Sequence, residues 1–210
     1  MSFQITEPRK VPRDPRLAKE LIAFVDPHAQ ILRRQAGVGP QERLDPWAVA
    51  PSFGLAFVKP ADIAHAADED QCKVAALSAK QWSGMGYPLP DGKLLIMLNP
   101  HQTPERARVT VMEEVAHAYF GHTPVTLVSS DGGGVHRQFD PVIEREAYWL
   151  AAAALLPTQA IGRAVWEGLA AKQIAERYGT STELAEFRIK TLRLWSEYQK
   201  RQRHQELQPE

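Results

Sequence analysis

At 210 residues, 44% of them hydrophobic, the chain is long enough to bury one substantial core. Its 25 Lys and Arg balance its 25 Asp and Glu, so no net charge draws it to nucleic acid or to an anionic lipid surface. Cys72 is the single cysteine, which excludes an internal disulfide framework and a multi-cysteine zinc knuckle.

The opening "MSFQITEPRKVPRDPR" is polar and proline-punctuated, and reads as a mobile arm over residues 1–15. It lacks the apolar run of a signal peptide, and no stretch is long enough to span a bilayer, so a cytoplasmic address is expected. "DPRLAKELIAFV" and "DPHAQILRRQAG" each begin with an Asp cap followed by a proline suited to a first turn, which predicts two short helices. "LDPWAVAPSFG" repeats the signal. "LAFVKP", "KVAALSAKQWSGM" and "KLLIMLNP" carry strand-like content between Pro, Gly and Asp turns. They predict a small sheet of about three strands, antiparallel because the connections look too short for helical crossovers.

From Thr103 the pattern becomes helical. "TPERARVTVMEEVAHAYFGH" starts at a Thr cap and stops near Gly121, and "DPVIEREAYWLAAAALLP" runs from Asp-Pro to Pro157. Between them, "VTLV" beside "SSDGGG" reads as an edge strand for an extended peptide with a movable lip, or as a short hairpin. Two or three more helices are expected from Gln159 to about Gln202, and residues 204–210 read as a frayed tail. The expected class is α+β, a small antiparallel sheet packed on a mainly helical domain over residues 16–157, followed by helices over 158–203.

Within the first long helix, Thr110, Glu113, Glu114 and His117 stand at i, i+3, i+4 and i+7 among apolar residues, and so form one polar stripe. Buried carboxylates need water, basic partners or a cation, so the stripe marks either an arginine ion-pair network or a metal site. The five residues from Glu113 to His117 also read like the zinc-peptidase signature H-E-x-x-H with its first histidine replaced. In the second long helix, Glu144 and Glu146 lie about 200° apart on the helical wheel, so only one of them can face the stripe. Past Gly121, His122 is expected to cap the helix or sit at the surface rather than ligate, and His101 and His136 read as solvated loop histidines. Tyr119, Tyr148 and Trp149 read as core.

Together, "WSGMGYPLPDGKLLIMLNPHQTPERARVTVMEEVAHAYFGH" and "EREAYWLAAAALLP" resemble the ImmA/IrrE-type metallopeptidase family. The shared features are Asn99-Pro100, Glu105-Arg106, Thr110, Gly121-His122, Glu144 to Ala147 and Leu155 to Pro157. The resemblance implies a gluzincin-like fold and a cytoplasmic zinc endopeptidase whose relatives inactivate helix-turn-helix repressors, often in mobile elements or stress responses. Residue by residue it makes Glu114 the catalytic base, Glu113, His117 and Glu144 the metal ligands, and Thr110, Glu146, Tyr148 and His122 their surroundings. Two positions depart from the family: Glu113 stands where a histidine is usual, and Tyr148 where Asn or Asp is usual. A site of two carboxylates and one imidazole is neutral with a divalent ion, which raises the pKa of bound water and admits Mn²⁺ or Fe²⁺ beside Zn²⁺. The competing reading is a metal-poor pseudopeptidase, without a cofactor, that binds a regulatory protein and does not cut it.

"AKQIAERYGTSTELAEFRIKTLRLW" resembles a helix-turn-helix. Its second helix begins with two acids in "STELAEF", so DNA binding is not expected and a helical packing unit is.

Overall fold

Asp14, Thr103, Asp140 and Ser181 each begin a helix, their side-chain oxygens accepting backbone N–H groups of the first turn. In chain order the computed structural model contains α1 (Pro15–Gln35), α2 (Pro46–Val49) with a 3-10 turn (Ala50–Phe53), β1 (Leu55–Val58), β2 (Gly84–Pro88) and β3 (Leu94–Leu98). Then follow α3 (Pro104–Phe120), β4 (Leu127–Ser129), β5 (Val135–Arg137), α4 (Pro141–Leu155), α5 (Thr158–Trp166), α6 (Ala171–Tyr178), α7 (Thr182–Thr191) and α8 (Trp195–Leu207). Residues 14–58, 83–122, 127–129, 135–137 and 140–207 are described. Residues 1–13 of the arm expected over 1–15, the strand-like "KVAALSAKQW", Cys72, the triple glycine and the last three residues of the expected tail lie outside them, while Asp14 and Pro15 of the arm cap and open α1. The fold is α+β. None of the described helices is long and apolar enough to cross a membrane.

The chain forms two compact units, Met1–Asp45 with Asp140–Glu210, and Pro46–Phe139. In the first, α1 packs along α4, whose buried run from Ala147 to Leu155 is rich in alanine and admits a neighbouring backbone closely. Ala18, Leu21, Val25, Ala29 and Leu32 recur at helical spacing and form the buried face of α1. The two short helices expected here are one. Asp26 does not cap a second helix, because its carboxylate accepts from Thr158 Oγ1 and pairs with Arg188 Nη2 at 3.4 Å, and Pro27 lies inside continuous α1. At the C-terminal end of that helix, buried Arg33 donates to the carbonyls of Ala154, Gly39 and Glu42, tying the following loop to α4.

Four described helices, rather than two or three, follow Pro157. The sequence "EGLA" breaks α5 from α6 at Gly168, which has φ of 80°, and Arg193, at φ of 59°, breaks α7 from α8. The helix-turn-helix-like segment is α6 and α7, joined at Gly179 in the left-handed conformation. Its second helix buries Leu184, Ala185, Phe187, Arg188, Ile189 and Thr191. Phe187 receives the rings of Tyr148 and Trp149 edge-on, with centroids 5.2 and 5.4 Å away. Glu183 and Lys190 are the exposed residues of α7.

In the second unit the sheet has order β1-β3-β2, with β1 parallel and β2 antiparallel to β3. The count of three strands agrees with the sequence, whereas the all-antiparallel arrangement does not. Only β2 and β3 are joined by a tight turn. The link from β1 to β2 spans residues 59–83, long enough for the chain to pass β3 and return, which allows the parallel pairing. Ile96, Met97 and Leu98 of the central strand are buried. β4 and β5 pair antiparallel, as the hairpin alternative for "VTLV" and the residues after it requires.

Candidate metal centre

The helix α3 owes its position to an apolar majority. Val109, Val111, Met112, Val115 and Ala116 are buried, and Arg108, also buried, lies 6.0 Å from the ring centroid of Trp47 on the α2 side. Against this background Glu113, Glu114 and His117 are half-buried and Thr110 is buried, on the one face that their spacing requires.

Each stripe residue has a distinct environment. Thr110 donates from Oγ1 to Gln102 Oε1 at 2.7 Å, and Gln102 Nε2 donates to the Ser83 carbonyl at 2.6 Å. This chain of bonds ties α3 to the loop entering it and to the start of β2. Gly84 makes the approach possible: a Cβ built there stands 3.3 Å from Thr110 Cγ2, 3.4 Å from Ile96 Cγ2 and 3.5 Å from Glu114 Oε1. The carboxylate of Glu114 is thus set against the backbone of β2. One step earlier, Glu113 Oε2 lies 3.5 Å from Arg106 Nη2, which also donates to Ser83 Oγ at 3.2 Å. An arginine partner for the stripe is therefore present at Glu113, and it comes from the same helix, two turns back.

His117 is met by His122, with the two Nδ1 atoms 3.1 Å apart and the rings edge-on. The helix wheel places His122 about 140° from His117 only while the helix continues. It does not continue: Gly121 adopts φ of 67°, its N–H bonds to the Ala118 carbonyl, and the His122 N–H returns to the His117 carbonyl at 2.9 Å. This is the Schellman closure that a C-terminal glycine permits, and it carries the His122 side chain back over the last turn. His122 caps the helix with its backbone, as expected, and its imidazole also reaches the stripe.

Glu144 and Glu146 stand half-buried at the start of α4, and Tyr148 is buried in the same helix; all three belong to the other compact unit. His101 is exposed, and its N–H bonds to Asn99 Oδ1 at 2.9 Å. His136 lies in β5 opposite Val128. Sequence reasoning missed Ser83, Gly84 and Gln102 as parts of the site and named Arg106 only as a feature of the family pattern, although its place seven residues before Glu113 puts it on the same face.

Among the described residues, no group of three or more His, Cys, Asp or Glu is arranged to hold a metal ion. The donors on α3 nevertheless fit a divalent ion in kind: an imidazole and a carboxylate one turn apart, with the imidazole's Nδ1 engaged by a neighbouring ring. A histidine in such a contact presents Nε2 to a ligand when its own Nδ1 carries the shared proton, the arrangement found where outer-sphere hydrogen bonds orient metal-bound histidines.

The IrrE N-terminal-like domain model matches residues 67–190, a span that includes β2, β3, α3 and α4. Among solved structures, the chain is similar to a Mycobacterium tuberculosis transcriptional regulator, with 14% identity and a TM-score of 0.51. That match covers 82% of this chain and 50% of the other, so this chain spans about half the regulator's length and shares its fold over that part. No curated protein matches. With more than half of its residues matched by the family model, the stripe helix included, the chain belongs to the IrrE N-terminal-like domain family, also named peptidase M78.

Proposed function

We propose that the protein is a metal-dependent endopeptidase that cleaves a helix-turn-helix-type repressor or another regulatory protein in the cytoplasm. The observation that carries this reading is the carboxylate of Glu114 seated against Gly84, beside Glu113 and His117, on the helix matched by a peptidase family. Glu113, His117 and Glu144 would hold the ion, Zn²⁺ first and Mn²⁺ or Fe²⁺ next, because two carboxylates harden the ligand set. When bound, the ion supplies Lewis acidity for a carbonyl oxygen and for water.

The protein's own groups do the rest. Glu114 takes a proton from the attacking water on its carboxylate and passes it to the departing amine, the role of a positioned general base. Thr110 and Gln102 hold α3 against β2, so the distance between Glu114 and the strand is set by packing rather than by a flexible side chain. The outer edge of β2 pairs with no other strand among the described residues, and an extended substrate can add to such an edge through main-chain hydrogen bonds.

A second reading is favoured by the Arg106–Glu113 pair, which gives the substituted position an arginine in place of a metal ion. In that case the protein is a pseudopeptidase that binds its partner and leaves it intact. Elemental analysis of protein purified without added metal separates the two, together with Glu114→Gln. The enzyme reading expects about one transition ion per chain, and a Gln variant that keeps the ion and fails to cut a candidate repressor that the parent cuts. No stoichiometric metal, and no change in stability on chelation, would sink it.

A further inference from the structure

We infer that His122 is the positioning residue for His117, fixing its tautomer so that Nε2 carries the lone pair offered to a metal. The inference rests on the metallopeptidase reading for its purpose and on the Schellman turn for its geometry. A separation of 3.1 Å between two Nδ1 atoms is a hydrogen-bond distance, and one of the two must carry the proton. If it is His117, its Nε2 is the acceptor nitrogen; if it is His122, His117 offers Nε2–H and cannot ligate through that atom.

The ring of His122 is held for this task from two sides. His117 meets it edge-on at a centroid distance of 5.2 Å, and Phe120 lies against it at 5.4 Å with planes 39° apart. Phe120 is in turn braced by Tyr119, which packs on Phe53. The left-handed glycine, the backbone bond from His122 to the His117 carbonyl, and this aromatic row leave His122 little freedom to turn away.

Charge explains why an imidazole suits this position. With Glu113 in place of the usual first histidine, a ligand set of two carboxylates and one imidazole would be neutral with a divalent ion. A carboxylate behind His117 would add a negative charge to that set and further weaken the acidity of bound water. A neutral imidazole orients the ligand without that addition.

The experiment is a ¹⁵N-histidine spectrum of the metal-free protein, joined to Co²⁺ titration, for the parent, His122→Ala and His122→Asn. An asparagine oxygen reaches about the position of Nδ1. The parent is expected to show His117 protonated on Nδ1, the Ala variant to lose that preference and bind Co²⁺ about 10–100-fold more weakly, and Asn to restore most of both. An unchanged His117 tautomer in His122→Ala overturns the inference. So does a Co²⁺ absorption band in the parent that loses one imidazole ligand in both variants, since His122 would then be a ligand itself. A parent that binds no Co²⁺ defeats the metallopeptidase reading, while the tautomer of the metal-free protein still decides the role of His122.

Discussion

Gly84→Ala tests how closely α3 is seated on β2. The new methyl would stand 3.3 Å from Thr110 Cγ2, 3.4 Å from Ile96 Cγ2 and 3.5 Å from Glu114 Oε1. Carbon atoms prefer about 3.5–4.0 Å, so two of these contacts are short by a few tenths of an ångström. Overpacking of this kind costs about 1–3 kcal/mol, and the small deficit places Gly84→Ala at the lower end. Restricting the unfolded chain returns about 0.4–1 kcal/mol, leaving a net loss of roughly 0.5 kcal/mol. For a chain of this size that lowers Tm by about 1–2 °C. Thr110→Ser removes the methyl that is in the tightest contact and keeps the hydroxyl bonded to Gln102. A double-mutant cycle by urea unfolding should therefore show Gly84→Ala costing about 0.5–1 kcal/mol less in the serine background. Additivity within about 0.3 kcal/mol, or a Gly84→Ala variant more stable than the parent, would refute the close seating. It would also remove the packing argument for where Glu114 is held.

In the helical unit, Arg188→Met should cost about 3–5 kcal/mol in urea unfolding. It removes a fully buried guanidinium that donates to the Leu156 carbonyl and Thr158 Oγ1, and leaves Asp26 without its cation. A loss below about 1 kcal/mol would mean that these bonds contribute little. At the surface, Glu167 accepts from Arg163 Nε at 2.6 Å and Arg177 Nη1 at 2.9 Å, and these bonds, Arg163 first, hold its carboxyl below the usual glutamate range. Its stabilisation is present above the unfolded-state pKa and is lost as pH falls through the lowered native value. Glu167→Gln should flatten the acid side of the stability profile slightly at low salt, and about 1 M salt should erase the difference. Identical profiles at low salt would show that the pair adds nothing.

The helix starts were legible because a cap is a local event: Asp14, Thr103, Asp140 and Ser181 each bond within three residues of themselves. Asp26 carries the same Asp-Pro signal and misleads, because its partner Arg188 lies 162 residues away and no local pattern announces it. The sheet failed for a related reason. Alternation identifies strands, whereas the direction of pairing depends on the path of the 59–83 link. On α3, spacing alone put Thr110, Glu113, Glu114 and His117 on one face, since helical geometry leaves no alternative. What each of them touches came from elsewhere: Gly84 across the strand, Gln102 in the loop, and His122 around a turn that the wheel projection does not contain.

The order of the two units along the chain sets the order in which they can be completed. The helix α1 buries its apolar face against α4, yet α4 begins more than 100 residues later, after the whole of Pro46–Phe139. At roughly 5–20 residues per second, α1 waits on the order of 5–20 s on the ribosome before its partner is made. During that time Leu21, Val25 and Leu32 have no native surface to cover them, while the segment that carries the polar stripe is being made. An N-terminal helix held open this long is a natural target for a chaperone during synthesis. It is also a place where slowing translation beyond Asp45 would lower yield without altering a single contact in the finished protein.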